Sequence, residues 1–290
     1  IASMALVVTA SDILSFMLTW ETMSLSSFFL VIYNHQASEN RKAGYLYFVF
    51  SHVGAMFIFA AFGLIYGYTG SLAFGSMAQV PETVKMVIFF FCLVGFGSKA
   101  GIFPFHVWLP FAHPAAPSHI SAVMSGVMIK TGVYGIIRVY LLLELYSPVF
   151  GMVLIIAGAV SGVLGIAYAL AQHDLKRLLA YSSVENIGII FIGLGIGMMG
   201  VASHHPVMAA LGFAGAFWHI LNHAIFKSLL FMGAGMILHK TGTRSIDALG
   251  GLLKQMKITG VSFIIGAVAI SGLPPFNGFA GEFLIYLAGF

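Results

Sequence analysis

Long apolar runs separated by short polar interruptions repeat from one end of the chain to the other. Eight runs of about 20 residues or more lie at 13–33, 45–68, 85–104, 118–143, 149–171, 178–199, 208–238 and 258–290, and residues 1–10 read as the end of a further run. A helix of that length crosses the roughly 30 Å hydrocarbon core of a bilayer. Helices also satisfy their own backbone hydrogen bonds, which lipid cannot do for them. The pattern therefore predicts an all-α, polytopic transmembrane helix bundle. The chain opens at Ile1 and closes at Phe290, both inside apolar runs. It reads as a single transmembrane domain over 1–290, internal to a longer protein.

Some runs cannot be one straight helix. The eighth contains Gly272-Leu273-Pro274-Pro275-Phe276-Asn277-Gly278. Proline lacks the amide donor and clashes with the preceding turn. Backbone broken at membrane depth survives only when protein covers it or water reaches it. The break is therefore expected to be buried, over 272–278, beside Glu282. The seventh run is overlong for one crossing, so a distortion is expected in or beside its 219–227 segment.

Composition agrees with a membrane protein: 60% of residues are hydrophobic and 8% charged, against about 25% charged in a soluble domain. The single cysteine, Cys92, excludes an internal disulfide framework and a cysteine-held cluster. The net charge of +4 is distributed over loops. Those after the first, third, fifth and seventh runs hold Arg41, Lys42, Lys176, Arg177, Lys240, Arg244, Lys254 and Lys257, whereas the alternate loops hold at most Lys85. This asymmetry marks the first set as cytoplasmic. It also removes the motive for a nucleic-acid partner; the expected surroundings are lipid and other subunits.

The informative residues are ionisable groups inside the runs: Glu21, Lys99, Lys130, Arg138, Glu185, Lys227 and Glu282, with His52, His219 and His223. Each charge costs about 2.5–3.5 kcal/mol at a helix centre unless paired or hydrated. Glu21 suits either a structural ion pair or a gate acting on a nearby lysine. Lys99, near the end of its run, either snorkels to the interface or joins a buried path. Lys130, mid-run between Gly126 and Gly132, is too central to snorkel and reads as a pathway residue. Arg138 stays charged and reads as a fixed electrostatic or structural group. His219, His223 and Lys227 stand at i, i+4 and i+8, one above the other on a helix face. Two such histidines can bind zinc. No nearby carboxylate or cysteine completes a ligand set, and Lys227 repels a cation, so a proton wire is the better reading. Glu282, beyond the break, either ends a relay or partners a buried cation. Glu185 lies in the path or beside it. His106, His113, His119 and His173 read as loop residues.

These residues carry a resemblance. Phe217 to Phe231 (Phe-Trp-His-Ile-Leu-Asn-His-Ala-Ile-Phe-Lys-Ser-Leu-Leu-Phe) resembles the signature helix of the antiporter-like subunits of respiratory complex I and Mrp antiporters. Trp20-Glu21, Gly97-Ser98-Lys99, Lys130-Thr131-Gly132 and Asp174 to Ser182 resemble the same family in the same order. Val184 to Gly188 and Leu273 to Glu282 are similar to the large membrane subunit of hydrogenase-4 and formate hydrogenlyase. The resemblance implies the antiporter-like fold and no cofactor or metal in this subunit. It implies partner membrane and peripheral subunits, of which the peripheral arm transfers electrons, and a prokaryotic cytoplasmic membrane. It also implies site roles: Glu21 and Lys99 as a coupling pair in contact or joined by one water, Lys130, His219, His223 and Lys227 as a central relay, and Glu282 as the terminal group. The expected function is proton translocation within a hydrogenase-type oxidoreductase complex. A stand-alone Na⁺/H⁺ antiporter, an NADH-quinone oxidoreductase and a scaffold whose charges only hold helices together are the alternatives.

Overall fold

The computed structural model describes residues 1–290. The chain is all-α, and seven of its helical segments are long and apolar enough to cross a bilayer. They appear where the apolar runs predict them, with one change of number. The eighth run is two short helices, α12 (Lys257–Ile270) and α13 (Asn277–Gly289). Each is about 20 Å long at 1.5 Å per residue, too short to cross alone.

The chain packs as two compact units. The first comprises residues 1–101, 105–115 and 128–145. It contains α1 (Ala2–Thr9), α2 (Ile13–Val31), α3 (Ser38–Thr69), α4 (Glu82–Ala100), α5 (Leu109–Ala115) and α7 (Ile129–Leu142). Asp12 starts α2 by accepting the Ser15 amide at 2.8 Å. One turn apart on α2, Phe16 and Trp20 stack at 5.7 Å and both meet Phe96 of α4 edge-on. That aromatic cluster holds α2 against α4, beside the positions of Glu21 and Lys99. Gly101 ends α4 with φ +80°, and a β-carbon there would meet Leu109 Cδ1 at 2.0 Å. Only glycine makes that turn and admits α5. Helix α7 approaches α4 so closely that a β-carbon at Gly132 would lie 2.4 Å from the Phe96 carbonyl oxygen.

The second unit comprises residues 102–104, 116–127 and 146–290. It holds α6 (Ser118–Val123), α8 (Pro148–Leu170), α9 (Leu175–Ala202), α10 (Pro206–Thr241), α11 (Leu252–Gln255), α12 and α13. Small residues let α8 and α9 pack backbone to backbone: a β-carbon on Gly188 would sit 2.5 Å from the Gly158 carbonyl oxygen. Asp174 caps α9, accepting the amides of Lys176 and Arg177 at 2.9 and 3.0 Å. An antiparallel bridge between Asp174 and Ser245 ties the α8–α9 loop to the loop after α10.

Helix α10 runs unbroken for 36 residues, about 54 Å. The distortion expected at 219–227 is absent. Its reason was excess length, and a helix longer than the bilayer core accommodates by tilting or by protruding. A distortion occurs elsewhere: a π turn at Met124–Met128 joins α6 to α7, one turn before Lys130. Large apolar side chains such as Leu18, Phe29, Met56, Ile156 and Val163 are exposed, as lipid-facing positions must be.

Candidate functional site

Each unit encloses a cluster of ionisable and polar side chains. In the first, Lys99 occupies the last turn of α4, immediately before the backbone unwinds. It is 3% exposed, which removes the snorkelling role. Its ammonium donates to the Tyr47 hydroxyl at 2.8 Å and to Ser24 Oγ at 3.2 Å. Tyr47 in turn shares a hydrogen bond with Ser27. Glu21 and Lys99, expected to be in contact or joined by one water, make no direct hydrogen bond or ion pair. Glu21 lies 3.5 Å from His52 Nε2 instead. Lys99 meets Ser24, three residues further along α2.

The Glu21–His52 pair has a proton requirement. His52 Nδ1 lies 2.9 Å from the Phe48 carbonyl oxygen, which only accepts, so Nδ1 carries a hydrogen. A neutral ring then has no hydrogen on Nε2, and an ionised carboxylate has none either. The contact is attractive only when it holds one further proton.

Lys130 is buried, 8% exposed, on the first turn of α7 after the π turn. The adjacent Thr131 hydroxyl donates to the Met128 carbonyl at 2.7 Å, a carbonyl of that turn. Arg138 makes backbone and ring contacts. Its guanidinium donates to the carbonyls of Val8 at 3.3 Å and Ala10 at 2.6 Å and packs on the Phe74 ring, pinning the end of α1.

The second cluster lies where α9 meets α10. His219, His223 and Lys227 are each 0% exposed. The Lys227 ammonium donates to Ser182 Oγ and to the Leu179 carbonyl at 2.8 Å. The Asn186 amide donates to the Ser182 carbonyl at 2.8 Å, so its oxygen is turned to His219 Nε2, which donates to it at 3.1 Å. Ser182 thus stands between two sets of contacts, its hydroxyl accepting from Lys227 and its carbonyl accepting from Asn186, which in turn accepts from His219. Glu185 stands on the same stretch of α9 and makes no ion pair with Lys227 within 4 Å. Lys227 is therefore held by neutral oxygens.

Glu282 sits one turn into α13, its carboxylate over Gly272, where a β-carbon would approach Oε2 to 2.4 Å. Its neighbour Gly281 packs on His219. Asn222 and Asn277 fix this arrangement by exchanging two hydrogen bonds. The expected break beside Glu282 exists, at 271–276, but Leu273, Pro274 and Pro275 are exposed. Burial of those residues was the wrong expectation for this chain: α12 and α13 each pack on α10 and leave their connecting turn outermost.

Sequence reasoning passed over several members. Tyr47, Ser24, Ser182 and Asn186 are neutral, and only packing shows that they hold the lysines. Lys176, counted among the loop cations that mark topology, is 2% exposed and donates to the Ala116 carbonyl at 2.8 Å. His106 and His113, read as loop residues, are buried. Pro104 and Pro110 beside them were the available signal, because a broken helix can carry loop-like residues inside the bundle.

Comparison with known proteins places these clusters in context. The family profile described as "NADH:quinone oxidoreductase/Mrp antiporter, TM" matches residues 10–290. The chain is similar to hydrogenase-4 component B of Escherichia coli, 45% identical over 287 residues, which cover 97% of this chain and 43% of that protein. It is similar to formate hydrogenlyase subunit 3 of Escherichia coli, 38% identical, covering 98% of this chain and 46% of that protein. Its structure resembles a chain of the membrane-bound sulfane sulfur reductase, an archaeal respiratory membrane complex, with TM-score 0.87 and 29% identity. That match covers 99% of this chain and 58% of the other. The chain thus spans less than half the length of these two curated relatives.

Proposed function

Because this chain belongs to the NADH:quinone oxidoreductase/Mrp antiporter transmembrane family, and is a multi-pass membrane protein, we propose that it moves protons as a subunit of a complex I-like assembly of the hydrogenase-4 type. The observation that carries this reading is Lys227: an ammonium 0% exposed inside a membrane helix, bonded only to neutral oxygens. A neutral amine keeps two hydrogens and can make the same two bonds. The site therefore tolerates both protonation states without rearrangement, which a structural ion pair does not.

In this reading Lys99 and Lys227 are loading groups, one in each unit. Glu21 with His52 holds a proton near the first, and Lys130 follows the π turn that loosens its helix. His219 and His223 extend the second site along α10. Glu185 modulates Lys227 electrostatically, and Glu282 exchanges protons with water at the broken helix. Moving one charge against 100 mV takes about 2.3 kcal/mol, and one pKa unit is about 1.4 kcal/mol. A cycle that changes a group's proton affinity by about two units supplies that work. Peripheral subunits carry the electron transfer, and the membrane is the cytoplasmic membrane of a prokaryote, with the basic loops inside.

The test is the whole complex reconstituted in vesicles, with a pH-sensitive dye and a parallel ²²Na⁺ uptake assay. Acidification driven by the redox reaction, lost on Lys227→Met and on Lys130→Met, supports the reading. Na⁺ uptake coupled to proton exit without any redox partner would replace it with a Na⁺/H⁺ antiporter subunit.

A further inference from the structure

The second unit buries a lysine that the scheme above leaves unused. Lys176 stands on the first turn of α9 and is 2% exposed, although Asp174 and Arg177, close to it in sequence, line a polar recess in the loops. A lysine at a helix end can reach water along its own stem, but this one is turned inward. Its ammonium donates to the Ala116 carbonyl at 2.8 Å. The first backbone bond of α6 goes to the Pro117 carbonyl, so the Ala116 carbonyl lies just outside that helix. The acceptor is neutral. An ammonium and an amine both have a hydrogen to give it, so the bond survives either protonation state, as at Lys227.

Three contacts place Lys176 relative to Lys227. On α9, Lys176 and Leu179 are three residues apart and share a face, and the Leu179 carbonyl accepts from Lys227 at 2.8 Å. On α10, Gly235 meets Ser118, two residues beyond Ala116: a β-carbon on Gly235 would lie 2.5 Å from Ser118 Cβ. Deeper on α10, Ser228, next to Lys227, donates to the Ala122 carbonyl at 3.4 Å. Helix α6 therefore runs antiparallel beside α10, its Ala116 end toward the loops and its Ala122 end at the level of Lys227. From Gly235 to Lys227 is eight residues of helix, about 12 Å. Ala122, Leu179, Leu230, Phe231 and Ala234 pack in that interval as one buried apolar cluster. Apolar interiors of this kind stay dry. Lys176 stands on the loop side of the cluster and Lys227 at its inner side.

Resting on the proton-transport reading above, we propose that Lys176 is the group that takes up protons at the basic-loop face and passes them to Lys227. A proton from water at the loops is held as the Lys176 ammonium and leaves again as the amine is restored, so only N–H and O–H bonds are exchanged. Its onward transfer requires water to enter the apolar cluster, which therefore acts as a gate in the way that apolar constrictions gate channels by drying. Two lysines on opposite sides of a dry gate give the path two holding sites, and a proton held on one does not run back through the other while the gate is closed.

The experiment uses the whole complex in vesicles, with redox-driven acidification as the readout and gel filtration to measure assembly. Wild type and Lys227→Met decide the transport reading first: acidification by the one and none by the other leave it standing, and a wild type that does not acidify ends both readings together. Lys176→Met and Lys176→Arg then decide the role of Lys176. Arginine keeps the charge and a donor for the Ala116 carbonyl but stays protonated, so a tether tolerates it and an uptake group does not. The expected result is that both variants assemble and that each acidifies at less than one tenth of the wild-type rate. Should Lys176→Met fail to assemble, Lys176→Arg still decides. A wild-type rate in either variant, a rate lost in Lys176→Met and restored in Lys176→Arg, or loss of assembly in both would overturn the proposal and leave Lys176 a tether between α9 and the turn before α6.

Discussion

Replacing Lys227 by methionine separates transport from scaffolding. Methionine has a similar volume and no charge, so the change removes the ammonium without opening a large cavity. Two contributions oppose each other. The two hydrogen bonds from the ammonium, to Ser182 Oγ and the Leu179 carbonyl, contribute about 1.5–3 kcal/mol each as bonds to a charged group. Their loss costs about 3–6 kcal/mol. Against it, a lysine at mid-helix costs about 2.5–3.5 kcal/mol on insertion scales, and that cost disappears. The loss is also softened because Leu179 still accepts the Ser183 hydroxyl at 3.0 Å. The net destabilisation is about 0–3 kcal/mol, small enough for the helices to assemble. Transport has no such compensation, because methionine carries no proton. Lys227→Met should therefore assemble with its partners at near wild-type yield and give no dye response. Lys227→Arg should also assemble and fail, because a guanidinium stays protonated. Assembly is read by gel filtration and pumping by vesicle acidification. Wild-type pumping in Lys227→Met would refute the relay, and failed assembly with normal pumping per assembled complex would make Lys227 a scaffold residue.

Tyr47→Phe removes the hydroxyl that accepts Lys99 at 2.8 Å, a bond of about 1.5–3 kcal/mol; pumping should fall severalfold while assembly holds, and an unchanged rate would exclude Tyr47 from positioning Lys99. Gly132→Ala places a methyl 2.4 Å from the Phe96 carbonyl oxygen, forcing α4 and α7 apart, so the melting temperature in detergent should fall by several degrees and pumping with it. Asp12 is the pH-dependent cap: hydrogen bonds from Ser15 hold its carboxyl below the ordinary carboxylate range. Its folded value is depressed, so its stabilisation is complete above the unfolded value of about 3.9 and lost as pH falls through the folded one. The melting-temperature difference between wild type and Asp12→Ala should accordingly be constant at pH 6–8 and shrink on acidification below about pH 4; a difference independent of pH would mean that Asp12 does not act as an ionised cap.

Several elements were legible because one residue forces one outcome. The Pro274-Pro275 pair ends α12, since no helix continues through two missing donors. The His219, His223 and Lys227 spacing puts three groups on one face, and all three are buried on it. Other features were not legible because they depend on neighbours distant in sequence. Glu21 meets His52 rather than Lys99 because the rotation of α2 against α3 and α4 is set by packing around Phe16, Trp20 and Phe96. The π turn at Met124–Met128 has no proline to announce it. Lys176 read as a loop cation that marks topology, yet it is buried and donates to the backbone at Ala116, because only the folded chain brings that carbonyl to it.

By itself, the sequence determined that this chain lives in a membrane as helices, and which ionisable residues lie within them. Both follow from one solvent argument: apolar runs of this length are stable in lipid, and charges inside them must be sheltered. Tertiary structure alone decided who shelters whom. Hydropathy has a period along one helix, but partner choice depends on the rotation and separation of two helices. Lys99 therefore finds Tyr47 and Ser24, and Lys227 finds Ser182 and the Leu179 carbonyl. Those partners are neutral hydroxyls and backbone, which carry no signature in a sequence until packing brings them within hydrogen-bonding distance.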